Sequence, residues 1–354
     1  MPPGRFRAVQ FHDLDRFAVA QHGIQARTPG AECAGAASTM EARMRRYFQD
    51  IPRGTLAPAV LLLLWLFSPA VEPASPARGE LIDVGGHALY MQCEGQGPPV
   101  VVLDAGLGGA SSDWRKVQPE LAKSNRTCIY DRAGYGRSDS GPPPRSSGRI
   151  AAELRTLLLL ADLPPPYLMV GHSFGGFNVR MFAGLFPDVT AGIVLIDSPH
   201  EAQANALFEQ GMLKFLDPTG RLRSFWSPDL LSSLPPETAA IAEMLGTRTK
   251  TLYTVLAEAA AFDASGQELQ ATPLSPDIPV GVLMHGRRVF PEGLVGDQLE
   301  RDWLRANREL VAAQRDGYFA VAAESGHLIH AEQPELIVET VGKVLGMAAE
   351  SRSK

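Results

Sequence analysis

One serine of the chain lies in a glycine-rich pentapeptide that is suited to nucleophilic chemistry. Ser173 lies between Gly171 and Gly175 in the stretch VGHSFGG, which has the form G-x-S-x-G. An apolar stretch precedes it and a helical pattern follows it, the setting in which this pattern forms a sharp strand-to-helix turn. Such a turn needs glycines for space and lifts the serine hydroxyl above the sheet. We therefore predict that Ser173 is a nucleophile.

A serine hydroxyl is a weak nucleophile unless a base takes its proton, which directs attention to the histidines. His327 and His330 lie in the late stretch ESGHLIHAEQP. His327 follows a glycine, so we predict that it projects from a tight loop toward the serine and acts as the base. We expect His330 to point away or to pack under the final helix, and His172 to point elsewhere on the turn. His285 is assigned to a strand end without a role.

A carboxylate should orient the imidazole of the base and stabilise its charged form. Asp197 ends the apolar stretch AGIVLID, at the carboxyl edge of the predicted sheet, where functional sites lie. Glu292, Asp297 and Glu300 follow a later strand and remain open as alternatives. We favour Asp197.

The negative oxygen of a tetrahedral intermediate needs backbone donors that are already in place. The N–H of Phe174, directly after the serine, is one candidate. Leu107 lies between glycines in DAGLGGASSDW and is the second. We predict that these two amides form an oxyanion hole.

Apolar stretches alternate with helical periods from about residue 79 onward, which predicts a mostly parallel sheet covered on both faces. The predicted strands cover residues 80–84, 87–93, 99–106, 127–130, 167–170, 191–197, 279–286 and 318–322. The predicted helices cover residues 113–121, 149–161, 174–186, 297–315 and 334–347. A helix-leaning insertion over residues 200–276 interrupts the alternation.

The first 78 residues are predicted to be an N-terminal extension with a signal peptide or membrane anchor and a linker. Four arginines precede the apolar run 56–67, LAPAVLLLLWLF, and small residues follow it, which is typical of a secretory signal. The run is short for a membrane span, although membrane association through it stays open. We expect an exported protein, periplasmic or secreted, whose true start is Met40 or Met44.

Composition narrows the function classes. The 354 residues carry a net charge of −6, and only the first 70 residues are basic, with a net of +3. An acidic body argues against binding to duplex nucleic acid. The 3 cysteines are too few for a disulfide scaffold and lack the spacing of zinc ligands. No cofactor is predicted, because neither a phosphate-binding glycine loop nor a dinucleotide fingerprint is present.

Taken together, the chain resembles the α/β-hydrolase fold superfamily, specifically its serine esterase-like members with a helical cap. The resemblance covers about residues 79–349 and rests on VVLDAGLGG, YDRAGYGRS, VGHSFGG and SGHLIHAEQPEL in that order. It implies an eight-stranded sheet built from residues 79–199 and 277–354, with residues 200–276 as the cap.

The resemblance also implies roles for individual residues. Ser173 is the nucleophile, His327 the base, and Leu107 and Phe174 supply the oxyanion-hole amides. The chain lacks the acid that usually follows the seventh strand, which favours Asp197 after the sixth. An aspartate nucleophile would mark the dehalogenases and epoxide hydrolases of the family, and the serine at position 173 disfavours both.

We therefore expect hydrolysis of small or apolar carboxylic esters through an acyl-enzyme. Other acyl transfer, C–C bond or peptide hydrolysis on the same residues, and a non-catalytic ligand-binding homologue, remain alternatives. The cap carries aromatic and methionine side chains that either line an apolar pocket or pack its own core. Cys93 and Cys128 lie on strands that the family fold places side by side; export would permit a disulfide, although bridges between adjacent strands are uncommon.

Overall fold

A single sheet organises the part of the chain that the computed structural model describes, residues 79–201, 249–290 and 292–352. All of these residues belong to one compact unit. The strands are β1 Glu80–Asp83, β2 Ala88–Glu94, β3 Val100–Asp104, β4 Thr127–Tyr130, β5 Tyr167–His172, β6 Thr190–Ile196, β7 Val280–His285 and β8 Gly317–Ala322.

The strand order in the sheet is β1-β2-β4-β3-β5-β6-β7-β8. Strands β1 and β2 run antiparallel to their neighbours, and β4, β3, β5, β6, β7 and β8 are parallel. The prediction of a mostly parallel eight-stranded sheet is confirmed, and each predicted strand overlaps an observed one. The carboxyl ends of β5, β6, β7 and β8 consequently meet at one edge.

Helices cover both faces of this sheet, as predicted. Their bounds in the described residues are α1 Gln118–Leu121, α2 Ser147–Leu160, α3 Phe174–Leu185, α4 Thr249–Ala260, α5 Phe262–Ala271, α6 Leu294–Ala312, α7 Ile329–Glu332 and α8 Pro334–Arg352. Helices α4 and α5 belong to the predicted cap, of which residues 202–248 lie outside the described residues.

The prediction of one helix over residues 113–121 is wrong. A short 3-10 helix, Ser111–Trp114, comes first, and α1 begins only at Gln118. Pro119 explains the break, because proline lacks a backbone N–H and its ring is tolerated only in the first turn of a helix. A new helix must therefore begin next to it.

The core consists of two apolar layers, one on each face of the sheet. Strand β3 (VVVLD) is buried along its whole length, so its residues alternate between the layers. Val100 and Val102 pack with α2, α3 and α6, whereas Val101 and Leu103 pack with α8. This burial of both faces fixes the strand positions and therefore the edge at which the site lies.

A disulfide joins the antiparallel part of the sheet to its parallel part. Cys93 on β2 and Cys128 on β4 lie directly opposite each other and are bonded. The bond ties the outer hairpin to the sheet core. No helix in the described residues is long and apolar enough to cross a membrane; the apolar run 56–67 lies outside those residues.

Candidate active site

Ser173 lies at the sharp turn between β5 and α3. Its φ of 51° and ψ of −122° are unusual for a residue with a side chain, and such a conformation costs on the order of 1–3 kcal/mol. A Cβ atom at Gly171 would collide with the backbone of Gly175, and one at Gly175 would collide with the carbonyl group of Asp104. The flanking glycines are therefore required by close backbone approach, as the sequence pattern predicts.

Four polar side chains follow or end four neighbouring strands at the same edge of the sheet. Ser173 follows β5, Asp197 follows β6, His285 ends β7, and His327 lies in the loop after β8. The backbone N–H of Ser173 donates to the carbonyl oxygen of Ile196 at 2.9 Å. The parallel arrangement thus brings together residues that are far apart in the chain.

Asp197 and His327 form a short hydrogen bond. His327 Nδ1 donates to Asp197 Oδ2 at 2.6 Å. The Asp197 side chain is fully buried, whereas the His327 side chain is 30% exposed. Burial alone would raise the pKa of Asp197, but hydrogen bonds from His285 and His327 outweigh it and lower the pKa to about 2. Asp197 is therefore ionised and holds His327 with Nδ1 protonated, which leaves Nε2 as a proton acceptor.

The alternative acids lie elsewhere. Glu292 is exposed, and Asp297 accepts a hydrogen bond from Arg288 at 2.5 Å. Glu300 bonds to His285, with 2.8 Å between its Oε2 and the His285 Nε2. Of the predicted candidates, it is Asp197 that contacts His327.

His285 is a site residue that sequence reasoning missed. Its Nδ1 donates to Asp197 Oδ1 at 2.6 Å, so one carboxylate joins two imidazoles. The sequence did contain a signal, because β7 lies beside β6 and a residue ending β7 must lie next to the residue following β6.

His172 and His330 form a buried pair behind His327. His172 Nε2 donates to the backbone carbonyl oxygen of His327 at 2.9 Å, and its ring lies 4.7 Å from the ring of His330. Burial lowers the pKa of His172 well below its usual range and that of His330 to about 3. Both are neutral at neutral pH, so His172 supports the His327 loop by hydrogen bonding rather than by charge.

The predicted oxyanion loop passes directly beside the serine. A Cβ atom added to Gly106 would lie 3.2 Å from Ser173 Cβ and 2.9 Å from His172 Nδ1. Leu107 follows within a turn closed by a hydrogen bond from Gly109 N to Gly106 O at 3.1 Å. Phe174 begins α3, and the first N–H groups of a helix have no partner within the helix.

A buried ion cluster holds this loop from behind. Arg132 donates to the carbonyl oxygens of Ala105 and Gly106 and pairs with Asp104 at 2.7 Å. Its Nε and Nη2 donate to the two carboxylate oxygens of Glu258 on α4, each at 2.9 Å. A single guanidinium therefore joins the predicted oxyanion loop to a helix of the predicted cap.

The same cluster contains a tyrosine that reaches the loop directly. Tyr135 OH donates to Glu258 Oε2 at 2.8 Å and accepts from Gly108 N at 3.2 Å. Burial raises the pKa of Tyr135 well above its usual range, so the phenol stays protonated and can donate to the carboxylate.

Aromatic rings line the start of α3. Phe262, on α5, lies 5.5 Å from Phe174 and stacks on Phe177 at 4.9 Å. Another aromatic residue of the predicted cap, Tyr253, is 69% exposed. The other aromatic residues predicted for the cap lie outside the described residues, and among the described ones no group of His, Cys, Asp and Glu side chains is arranged to hold a metal ion.

Comparisons with known proteins agree with the fold described above. A family model described as alpha/beta hydrolase fold matches residues 98–224. A thermophilic esterase from Thermogutta terrifontis superposes with a TM-score of 0.56 at 20% identity, over 77% of this chain and 99% of that one. A putative epoxide hydrolase from Pseudomonas aeruginosa superposes with a TM-score of 0.59 at 16% identity, over 78% and 98%. The chain has the α/β-hydrolase fold.

Sequence relatives among curated proteins include much longer chains. A probable transporter, efuK, of Hormonema carpetanum is 32% identical over 135 residues, which are 36% of this chain and 19% of that protein. The chain thus spans about a fifth of the length of the first curated relatives that it matches. The similarity supports the fold.

Proposed function

We propose that the protein is a serine hydrolase that cleaves carboxylic esters through an acyl-enzyme. The observation that carries the proposal is the hydrogen bond from His327 to the buried, ionised Asp197 beside a serine on a strained turn. A nucleophile, a base and a group that orients the base are the parts that this chemistry needs. The α/β-hydrolase neighbours support a hydrolase in general.

In the first half of the reaction, His327 Nε2 takes the proton of Ser173 Oγ while the oxygen attacks the ester carbonyl carbon. The carbonyl oxygen becomes negative and is stabilised by the N–H groups of Leu107 and Phe174. Asp197 stabilises the imidazolium. When the C–O bond breaks, His327 returns its proton to the leaving alkoxide, and the acyl group remains on Ser173.

In the second half, water replaces the alcohol. His327 takes a proton from the water as its oxygen attacks the acyl carbon, and a second tetrahedral intermediate forms in the same oxyanion hole. Its collapse returns the proton to Ser173 Oγ and releases a carboxylic acid. The 30% exposure of the His327 side chain supports access of substrate and water to its ring.

The site favours small or apolar acyl or alcohol groups. Phe262, on α5 of the predicted cap, packs on the buried rings of Phe174 and Phe177 beside the turn at Ser173, and apolar walls with a few polar groups are typical of small-molecule sites. One of the structural neighbours is described as an epoxide hydrolase, but the serine at position 173 favours ester chemistry, because the family members that open epoxides use an aspartate there.

Turnover of p-nitrophenyl esters tests the proposal. The wild-type chain should hydrolyse p-nitrophenyl acetate or butyrate, and Ser173→Ala should lose at least about 10³-fold in kcat. Ser275→Ala is the matched control, because Ser275 precedes β7 at the opposite end of the sheet. Equal rates for the Ser173→Ala and wild-type proteins would reject the proposal, and no turnover of any ester by wild type would favour a non-catalytic binding protein.

We further propose that the protein is exported. The apolar run 56–67 with its preceding arginines supports this, and the disulfide between Cys93 and Cys128 suits an oxidising compartment. N-terminal sequencing of the native protein should find a mature chain that begins near residue 70. A native chain that retains residues upstream of Met40 would contradict the proposed start and processing.

A further inference from the structure

Both oxygens of Asp197 are occupied by imidazoles. Oδ2 accepts from His327 and Oδ1 accepts from His285, each through Nδ1 and each at 2.6 Å. Asp197 is fully buried, and the His285 side chain is 8% exposed. The carboxylate that is proposed to orient the base therefore has a second partner of the same chemical type, which the proposed reaction does not use.

The contact made by the second ring nitrogen of His285 indicates that this imidazole is positively charged. Nε2 lies 2.8 Å from Oε2 of Glu300. An ionised carboxylate only accepts hydrogen bonds, so a histidine held between two of them must donate from both nitrogens, which only the imidazolium can do. The pKa of His285 agrees with a charged ring. Burial opposes the charge, but Asp197 and Glu300 raise the pKa of His285 to about 9.

Glu300 is itself held in place. Its Oε1 accepts from the backbone N–H groups of Val289 and Phe290 at 2.7 and 2.8 Å. Trp303, one turn further along α6, places its ring 6.4 Å from that of His285 and 6.2 Å from that of His327. The loop after β7 and the start of α6 thus form a rigid support for the second imidazole.

We propose that His285, held as an imidazolium between Asp197 and Glu300, is a positioning residue that fixes Asp197 against His327 and limits the basicity of His327. The proposal rests on the proposed function, in which His327 is the base. A cation on one oxygen of Asp197 offsets part of the attraction that the carboxylate exerts on a proton at His327.

Other charges near the site do not replace His285. Within the described residues, Asp197 and Glu300 are the charged groups that face His285 directly, and His327 lies across Asp197. Beyond His327 lie His172 and His330, whose pKa values burial lowers. Three basic groups complete the surroundings, with Arg288 bonded to Asp297 and with Arg115 and Lys116 facing His330.

The His285→Asn variant tests the proposal through a pH profile. The asparagine amide keeps a donor near the position of Nδ1 but removes the charge and the contact with Glu300. We expect the acidic limb of kcat/KM for p-nitrophenyl butyrate to move to higher pH by about 0.5–1 unit. His87→Asn is the matched control, since His87 precedes β2 near the far edge of the sheet, and its limb should stay at the wild-type pH.

A limb that stays in place or moves to lower pH in the His285→Asn variant would overturn the proposal, whatever the rate. If that variant does not fold, NMR of the imidazole nitrogens in the wild-type protein tests the charge of His285 instead. The His285 signals are identified by their change in the Glu300→Gln variant. Both nitrogens of His285 should remain protonated from pH 6 to 8. A neutral ring in that range would overturn the proposal. Because this NMR measurement needs no turnover, it separates failure of the His285 proposal from failure of the esterase proposal.

Discussion

His327 and Asp197, 130 residues apart in the chain, are joined by a hydrogen bond of 2.6 Å between Nδ1 and Oδ2. The sheet creates this contact, because β6 and β8 both end at the same edge and β7 lies between them. The bond fixes one tautomer of His327 and leaves its other nitrogen facing away from the carboxylate. The chemistry proposed for Ser173 depends on that tautomer.

Replacing the carboxylate of Asp197 should therefore disable His327 as a base while leaving the backbone in place. Asp197→Asn should lower kcat for ester hydrolysis by on the order of 10³-fold or more, because an amide can donate to Nδ1 and favour the wrong tautomer. Steady-state kinetics at pH 8 measure the effect. The control Asp277→Asn, at an exposed ion pair with Arg315, should keep wild-type rates. A loss of less than tenfold in Asp197→Asn would contradict the role of Asp197 in orienting His327.

Stability should depend on pH through His285. Its folded-state pKa of about 9 exceeds the ordinary value of 6.5, so its contribution to stability is complete below pH 6.5 and is lost as the pH rises through 9. The difference in free energy of unfolding between wild type and His285→Asn should shrink over this interval. Urea unfolding at pH 6, 7.5 and 9 measures it, and a difference that grows with pH would contradict the charge assignment.

The buried ion cluster should matter for both stability and activity. Glu258→Gln removes the bidentate partner of Arg132 and leaves a buried guanidinium only partly compensated, which should cost about 3 kcal/mol of unfolding free energy. Activity should fall as well, because Arg132 also holds the carbonyl groups of Ala105 and Gly106. Urea unfolding and ester kinetics measure the two effects. The control Glu339→Gln, at an exposed position on α8, should change neither stability nor activity. Wild-type stability in Glu258→Gln would contradict a stabilising role for the buried ion cluster.

The space beside the serine should not tolerate a methyl group. In Gly106→Ala the new Cβ would lie 2.9 Å from His172 Nδ1 and 3.2 Å from Ser173 Cβ, so the loop must shift and the proposed oxyanion hole with it. We expect kcat to fall by on the order of 10²-fold. Gly342→Ala, where a Cβ would meet nothing within 4 Å, serves as the comparison and should be fully active. Unchanged kcat in Gly106→Ala would show that the loop does not serve the reaction.

The sequence predicted the structure best where a local residue pattern is compatible with a single backbone conformation. Buried strands such as β4, whose bounds match the prediction, are short apolar runs bounded by polar residues or glycine. The turn at Ser173 was predictable because two glycines at fixed spacing are needed for close backbone approach. The fold class followed from the alternation of strands and helices.

The remaining features depend on contacts between distant segments. From the sequence, Asp197 was a better candidate than Glu300 for the carboxylate that orients His327. The choice could not be completed, because only the strand order shows which carboxylate reaches His327. His285 was missed for the same reason, since its role arises from two partners on different elements. The link from Arg132 to Glu258 joins residues 126 positions apart and has no local signal in either stretch.

Whether Ser173 is the nucleophile is tested best by the mass of the peptide that contains Ser173 after reaction with a fluorophosphonate probe. We expect a covalent adduct on Ser173 in the wild-type protein, with labelling that is much slower in His327→Ala and absent in Ser173→Ala. Labelling of a different residue, or no labelling of the folded wild-type protein, would contradict it.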